Sequence, residues 1–367
     1  MNGFSLEAAS LDSLVLHDNL LQSTYWAALK RRFGSNALAF SVRSQAQPIS
    51  TALSGRRLDR LPLLVFLRNI PGLSGACIGY VPHGPDIELP AEDRQPFLEW
   101  LSAALCSQLP KGCVFLRFDL PFLIDSPNER DRLFGSPLKR AVTDVQVPDT
   151  VVVDLTAGED EILSRMKNKT RYNVRLSARR GVTVRDAGAE ELDLWHKIAT
   201  ETAGRDRITL HAKSYFAALF EEAAGRSDTE IKLLVAEAEG KPLAAVILTI
   251  FGKRCIYHFG ASRTEGRNLM PTFALQWEAM KYAKSAGCTV YDLLGIPPTD
   301  DPKHPLHGLY RVKTGFGGTV VHRAGCWDYP IHPAAYRFYR AAESARNMYF
   351  KQVRKKAIGA AKKLFGG

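Results

Sequence analysis

The sequence predicts an α/β (α+β) fold made of two tandem units, each a mixed sheet flanked by helices. Three observations predict it. Residues 231 to 294 run in the order antiparallel meander, loop, helix, strand; the order helix, Gly-Cys, strand occurs twice, through Gly112-Cys113 and Gly287-Cys288; and a chain of 367 residues, 46% of them apolar, is long enough to bury two cores.

The second unit is the clearer one. Ile231 to Ala238 is a strand, Glu239-Gly240-Lys241-Pro242 is turn chemistry, and Leu243 to Phe251 is nearly all apolar, as a central strand should be. Gly252-Lys253 turns the chain into a third strand, Arg254 to Ala261. After a polar loop from Ser262 to Asn268, a helix is expected from about Met270 to Ser285, with Pro271 in its first turn and Gly287 just past its end. Phe273, Trp277, Met280 and Ala283 recur at three- and four-residue spacing on one face of it. Thr289 to Leu294 then returns as a strand.

The first unit repeats this order. Leu63 to Arg68 and Ala76 to Tyr80 are expected strands, the loop Val81-Pro82-His83-Gly84-Pro85 follows, and a helix is expected from about Asp93 to Gln108, with Pro96 in its first turn. Val114 to Asp119 is the strand after it. Between the units, Val147 to Asp154 opens as a strand into a basic helix from about Asp160 to Arg180, with Ile162, Met166, Val174 and Ala178 as its apolar line. The chain after Pro330 is expected to be helical and cationic (Lys351, Arg354, Lys355, Lys356, Lys362, Lys363) and to pack back on the first unit. The expected division is residues 1–148 plus 320–367 for the first unit and 149–319 for the second.

Forty-nine Lys and Arg against 38 Asp and Glu give a formal net charge of +11, which favours an anionic partner such as nucleic acid, a phosphorylated substrate or a membrane surface. The apolar runs Leu61 to Leu67 and Leu243 to Phe251 are far shorter than the roughly 18 to 20 residues of a spanning helix. Glu7, Asp12 and Asp18 do not fit the basic-then-apolar layout of a signal peptide, so a cytoplasmic protein is expected. Six cysteines form no Cys-x-x-Cys pair, and prolines 302 and 305 break any helix that would align His304 with His307; neither a disulfide framework nor a metal site is expected.

The most informative segment is Tyr291-Asp292-Leu293-Leu294-Gly295-Ile296, followed by a Pro-rich turn and Gly308-Leu-Tyr-Arg-Val-Lys313-Thr-Gly-Phe-Gly-Gly318. A lysine in a flexible glycine loop can be merely solvated, or glycines can let it project into a site by allowing close backbone approach. Met166 to Arg175 offers Lys167, Lys169, Arg171 and Arg175 within about two helical turns, which suits phosphate contacts and equally a solvated face.

These stretches, with Gln22-Ser23-Thr24-Tyr25-Trp26 to Lys30, Thr202-Ala-Gly-Arg205-Asp206 and Tyr257-His-Phe-Gly-Ala-Ser262, resemble the FemABX family of non-ribosomal peptidyltransferases. Meander, loop, helix, strand is also the core order of the GNAT acyltransferase fold, and the resemblance implies two tandem GNAT-like units. It further implies aminoacyl transfer from aminoacyl-tRNA to the stem peptide of a UDP-linked or lipid-linked peptidoglycan precursor, with no cofactor. Lys313 would be catalytic, Lys30, Arg205 and Tyr257 would bind substrate, and Lys167, Lys169, Arg171 and Arg175 would contact tRNA or phosphate. A peripheral contact with the inner membrane surface goes with such an acceptor. Two departures bear on the acceptor: Leu293-Leu294-Gly295 stands where the family often has Phe-Gly-Gly, and His83 where it commonly has arginine.

The chemistry needs a cation at the developing oxyanion, a role for Lys313, and no Ser/His/Asp or Cys/His constellation points to an acyl-enzyme. The sequence identifies no general base; Asp292 is a weak candidate, and a structural role fits it better. The competing reading is an acetyl-CoA-dependent GNAT N-acyltransferase, whose pyrophosphate loop Arg263-Thr-Glu-Gly266-Arg267-Asn268 would match in part. A catalytically silent RNA-binding or membrane-surface protein is the third.

Overall fold

The computed structural model describes residues 3–14 and 18–365, the side chains of 13 and 350–365 excepted. Its main strands are β1 (Phe4–Ala9), β2 (Asn36–Ser44), β3 (Leu61–Asn69), β4 (Cys77–Val81), β5 (Cys113–Ile124), β6 (Asp149–Asp154), β7 (Thr183–Ala187), β8 (Thr229–Ala238), β9 (Lys241–Phe251), β10 (Arg254–Ser262), β11 (Val290–Asp292) and β12 (Thr319–Pro330). The helices are α1 (Thr24–Arg32), α2 (Ala91–Cys106), α3 (Glu159–Arg165), α4 (Asn168–Arg179), α5 (Leu192–Asp206), α6 (Lys213–Ala223), α7 (Pro271–Ser285), α8 (His307–Thr314) and α9 (Pro333–Phe365).

Among the described residues these strands form one mixed sheet in the order β1-β2-β3-β4-β5-β12-β6-β11-β10-β9-β8-β7, with Lys139–Arg140 added beside β12. The two units are the two halves of this sheet. Each half has one parallel pair, β4 with β5 and β10 with β11, joined by the crossover helices α2 and α7. Those are the two places where the sequence repeats helix, Gly-Cys, strand. The glycines do different work there. Gly287 ends α7 at φ +83°, whereas a Cβ on Gly112 would stand 1.9 Å from the Gly75 carbonyl oxygen.

β12 joins the halves. Its first residues pair with β6 and its remainder with β5, so residues 319–330 belong to the hydrogen bonding of both units. Its Arg323 is the residue at the seam. Phe97, Leu98, Leu101 and Leu105 of α2 bury one core with the first half; Ala274, Leu275, Trp277, Met280 and Ala283 of α7 bury another with the second. A third core spans both halves, where Trp26 and Leu29 of α1 meet Phe216 and Leu219 of α6.

Several expectations are corrected. The basic helix is two helices, because Met166 and Lys167 are extended between α3 and α4 and the Lys167 N–H donates to the Gly315 carbonyl instead of continuing a helix. Of its expected apolar line Ile162, Met166 and Val174 are buried, but Ala178 is exposed. Helix α2 starts two residues earlier than expected, which puts Pro96 inside it. The strand expected over Thr289 to Leu294 stops at Asp292, since Leu294 has φ +54°.

The first part of α9 packs on β5: Tyr336 lies edge-on to Phe115, and Arg117 forms a buried pair of forks with Asp328 and Glu343 at 2.7 to 2.9 Å. The cationic residues expected beyond it lie outside the described side chains. No helix among the described residues is long and apolar enough to cross a membrane.

Candidate active site

Lys313 is not in a loop. It occupies the last turn of α8, 7% exposed, and its Nζ donates to the carbonyls of Gly295 at 2.9 Å and Leu294 at 3.1 Å. The glycines around it allow close packing. A Cβ on Gly315 would stand 2.3 Å from Thr170 Oγ1, and one on Gly317, at φ +80°, 2.5 Å from the Arg165 carbonyl oxygen. They seat α8 in the break between α3 and α4. Burial lowers the Lys313 pKa to about 8, partly opposed by the charge of Asp292.

The Lys313 ammonium lies 5.4 Å from the Tyr257 ring centroid, at the wall of a cleft of about 620 Å³. Arg205, Tyr257 and Lys313 all line this cleft, so three of the four residues expected to do catalysis or bind substrate come together. Tyr257 lies over Gly260, where a Cβ would meet its hydroxyl at 1.8 Å, and burial pushes its pKa up to about 12. Arg205 donates to the Ser262 carbonyl at 2.8 Å and pairs with Asp206 at 3.1 Å.

Lys30 does not line the cleft. It sits on the other side of β10, 4.3 Å from the Trp26 ring centroid and hydrogen-bonded to the Tyr215 hydroxyl at 3.2 Å. Burial, helped by the charge of Arg68, lowers its pKa to about 8. Trp26 and His258 connect it to the strand that carries Tyr257.

The four expected phosphate contacts divide. Lys169 and Arg175 are exposed on α4, and Lys167 reaches α8 through Thr314 Oγ1 at 3.3 Å. Arg171 is spent locally: its guanidinium donates to the carbonyls of Ser164 and Met166 and to Asn168, tying down the C-terminus of α3.

Asp292 is structural. Burial pushes its carboxyl up, but Arg323 and Arg254, with hydrogen bonds from Thr150 and the Leu294 N–H, hold it below the ordinary carboxylate range. His304 accepts from the Leu306 N–H in the turn before α8, and His307, the first residue of α8, pairs with Asp300. No group of His, Cys, Asp or Glu among the described residues is arranged to hold a metal.

Sequence reasoning missed a second cavity, of about 80 Å³, at the seam of the halves, with Asn19, His83, Arg254, Asp292, Leu294 and Arg323 in its wall. The available signal was Arg323 itself, a charge between Val320-Val321 and Ala324 with His322 beside it. The two cavities flank the point where β10 and β11 part, for their pairing covers only Arg254↔Val290 to Ile256↔Asp292. Beyond it Tyr257 and Leu293 line the large cleft, while His258 and Leu294 line the small cavity.

A doubled mixed sheet with a crossover helix in each half and a cleft beside a strand parting defines a tandem GNAT-like protein. A sequence model of the FemAB family matches residues 123–237 and 222–344, and the chain belongs to that family. It is 22% identical over 251 residues to a lipid II:glycine glycyltransferase of Staphylococcus epidermidis, a match covering 52% of this chain and 60% of the relative. The enzyme of the same name from Staphylococcus aureus is 21% identical over 257 residues, covering 53% and 61%. The chain thus spans about three fifths of the length of these curated relatives. A crystal structure of FemX superposes with a TM-score of 0.73 at 18% identity, over 92% of this chain and 100% of that one, a likeness that establishes the fold.

Proposed function

We propose that the protein is an aminoacyltransferase that moves an amino acid from aminoacyl-tRNA to an amine of the stem peptide of a peptidoglycan precursor. The observation that carries the reading is the setting of Lys313, buried at the wall of the large cleft with two of its three N–H groups engaged by backbone carbonyls. No acceptor among the described residues takes the third, which is left for a substrate oxygen. The acceptor amine attacks the ester carbonyl carbon, the carbonyl oxygen takes the negative charge, and the bond to the ribose oxygen then breaks, a proton passing from the amine to that oxygen. A fixed ammonium at the intermediate supplies stabilisation on the order of 3 to 4 kcal/mol.

The names of the staphylococcal relatives support glycine as the transferred residue and lipid II as the acceptor. Exposed Phe338 and Met348 on α9, with the cationic sequence beyond them, support contact with the inner membrane surface, where a lipid-linked acceptor resides. Exposed Lys169 and Arg175 support phosphate contacts with tRNA. Strand pairing supports the expected division into units up to residue 319, with β12 shared between them.

The acetyl-CoA reading fits less well. In the loop that would cradle pyrophosphate, the Thr264 N–H is taken by the Glu201 carboxylate at 2.6 Å, and Gly266 is required by Leu243, 2.8 Å from where its Cβ would lie. A fixed carboxylate there repels a diphosphate. The test is transfer of label from glycyl-tRNA to precursor, run beside acetyl-CoA with the same acceptor. Transfer from glycyl-tRNA is expected; transfer only from acetyl-CoA overturns the proposal.

A further inference from the structure

The small cavity at the seam is lined by two well-buried side chains that each carry an unpartnered polar atom. Arg323 is 5% exposed, and its Nε has no hydrogen-bond partner among the described residues. Its approach to Asp292, from Nη2 to Oδ2, is 3.7 Å, beyond hydrogen-bond length. Asp292 has little left to offer, since Oδ1 accepts from Thr150 and the Leu294 N–H and Oδ2 accepts from Arg254 at 3.1 Å. Asn19 is 1% exposed; its Nδ2 donates to the His83 carbonyl and to Asp86, while its Oδ1 is unpartnered among the described residues.

A structural arginine in this sheet looks different. Arg117, equally buried at 5%, has two carboxylates in forked contact at 2.7 to 2.9 Å. Buried charged donors are normally filled this way. Arg323 therefore fits a site whose partner the described residues do not supply.

The chemistry of the cavity narrows that partner. A guanidinium fork matches a carboxylate, and Asn19 Oδ1 matches an N–H. About 80 Å³ accommodates a carboxylate with the carbon that bears it, and not a nucleotide diphosphate. An amine and a carboxylate on one carbon satisfy both atoms. The location fits an acceptor: the Leu294 carbonyl held by Lys313 belongs to a residue lining this cavity, across the parting of β10 and β11 from the large cleft.

We propose that Arg323 and Asn19 form a specificity subsite for an acceptor amine that carries a carboxylate on the same carbon, so that the protein takes a stem peptide bearing meso-diaminopimelate in preference to one bearing lysine. The proposal rests on the aminoacyl-transfer reading. Arg323 holds the carboxylate, which turns the neighbouring amine toward the strand parting.

The experiment compares two soluble UDP-linked precursors that differ only in diaminopimelate or lysine, by calorimetric titration and by transfer from glycyl-tRNA. The expected result is affinity at least roughly tenfold higher for the diaminopimelate form. Arg323→Lys, which keeps the charge and loses the fork, should bring the two affinities to within about twofold of each other. Asn19→Ala, distant in sequence from the ion pairs of β12, should lower the same preference and provides the test if Arg323→Lys does not fold. Equal affinities in the wild type with transfer intact overturn the subsite and leave the aminoacyl-transfer reading standing; a preference for lysine does the same. Failure to bind or modify either precursor overturns both.

Discussion

The Lys313 ammonium holds the carbonyl of Leu294, a residue with φ +54° that ends β11 just where that strand parts from β10. One side chain thereby fixes the backbone at the rim of both cavities, and the hydrogen bond couples proposed chemistry to local structure.

Replacing Lys313 tests that coupling. Lys313→Met removes the cation with little change in volume, and turnover should fall by roughly a hundredfold or more while precursor affinity stays nearly constant. Steady-state kinetics on the folded variant checks it; weakened affinity with normal turnover would instead mark a ground-state phosphate ligand.

The pH profile follows from the same residue. With the Lys313 pKa lowered to about 8, the ratio of wild-type to Lys313→Met turnover, in which the titration of the acceptor amine cancels, should be level below pH 7 and fall as pH rises through about 8. Stability should change oppositely. The unfolded chain keeps the lysine protonated to its ordinary value of about 10.4, so between the two values it binds more protons than the folded protein and stability rises with pH. Melting temperatures of wild type and Lys313→Met from pH 7 to 10 should therefore converge, while the ratio of their turnovers declines.

Gly317 permits the seating of α8. Gly317→Ala sets a Cβ 2.5 Å from the Arg165 carbonyl oxygen at φ +80°, and should cost about 1 to 3 kcal/mol. Urea denaturation measures the destabilisation, and turnover should drop with it because Lys313 moves with the helix.

Arg117 is a stability residue. Arg117→Met leaves Asp328 and Glu343 buried without their partner, which should cost about 3 to 5 kcal/mol. Faster proteolysis within α9 than in the wild type is the local signature to look for.

The basic residues of α4 should separate by role. Replacing Lys169 or Arg175 with Gln should weaken tRNA binding and reduce its salt slope by about 0.7 to 0.9 for each phosphate that is no longer neutralised. Arg171→Gln should lower the melting temperature and leave the salt slope unchanged, since its donors are spent on the end of α3.

Local pattern made most of this fold legible from the sequence. Leu243 to Phe251, the helix from Pro271 and the repeated helix, Gly-Cys, strand order each depend on neighbours in the chain, because apolar periodicity and turn chemistry are short-range properties. Lys313, Arg205 and Tyr257 were legible as candidates from residue type and surroundings, through the family resemblance, and the structure brings the three to one cleft. Tertiary structure decided what each touches. Met166 and Lys167 are extended because Gly315, almost 150 residues later, takes the Lys167 N–H; Lys313 is helical and buried because Gly315 and Gly317 admit Thr170 and Arg165; and Arg323 faces Asn19 across a seam made by strands from both halves. Such contacts arise between segments with no shared periodicity, and their free energy depends on distances that only the packed sheet sets.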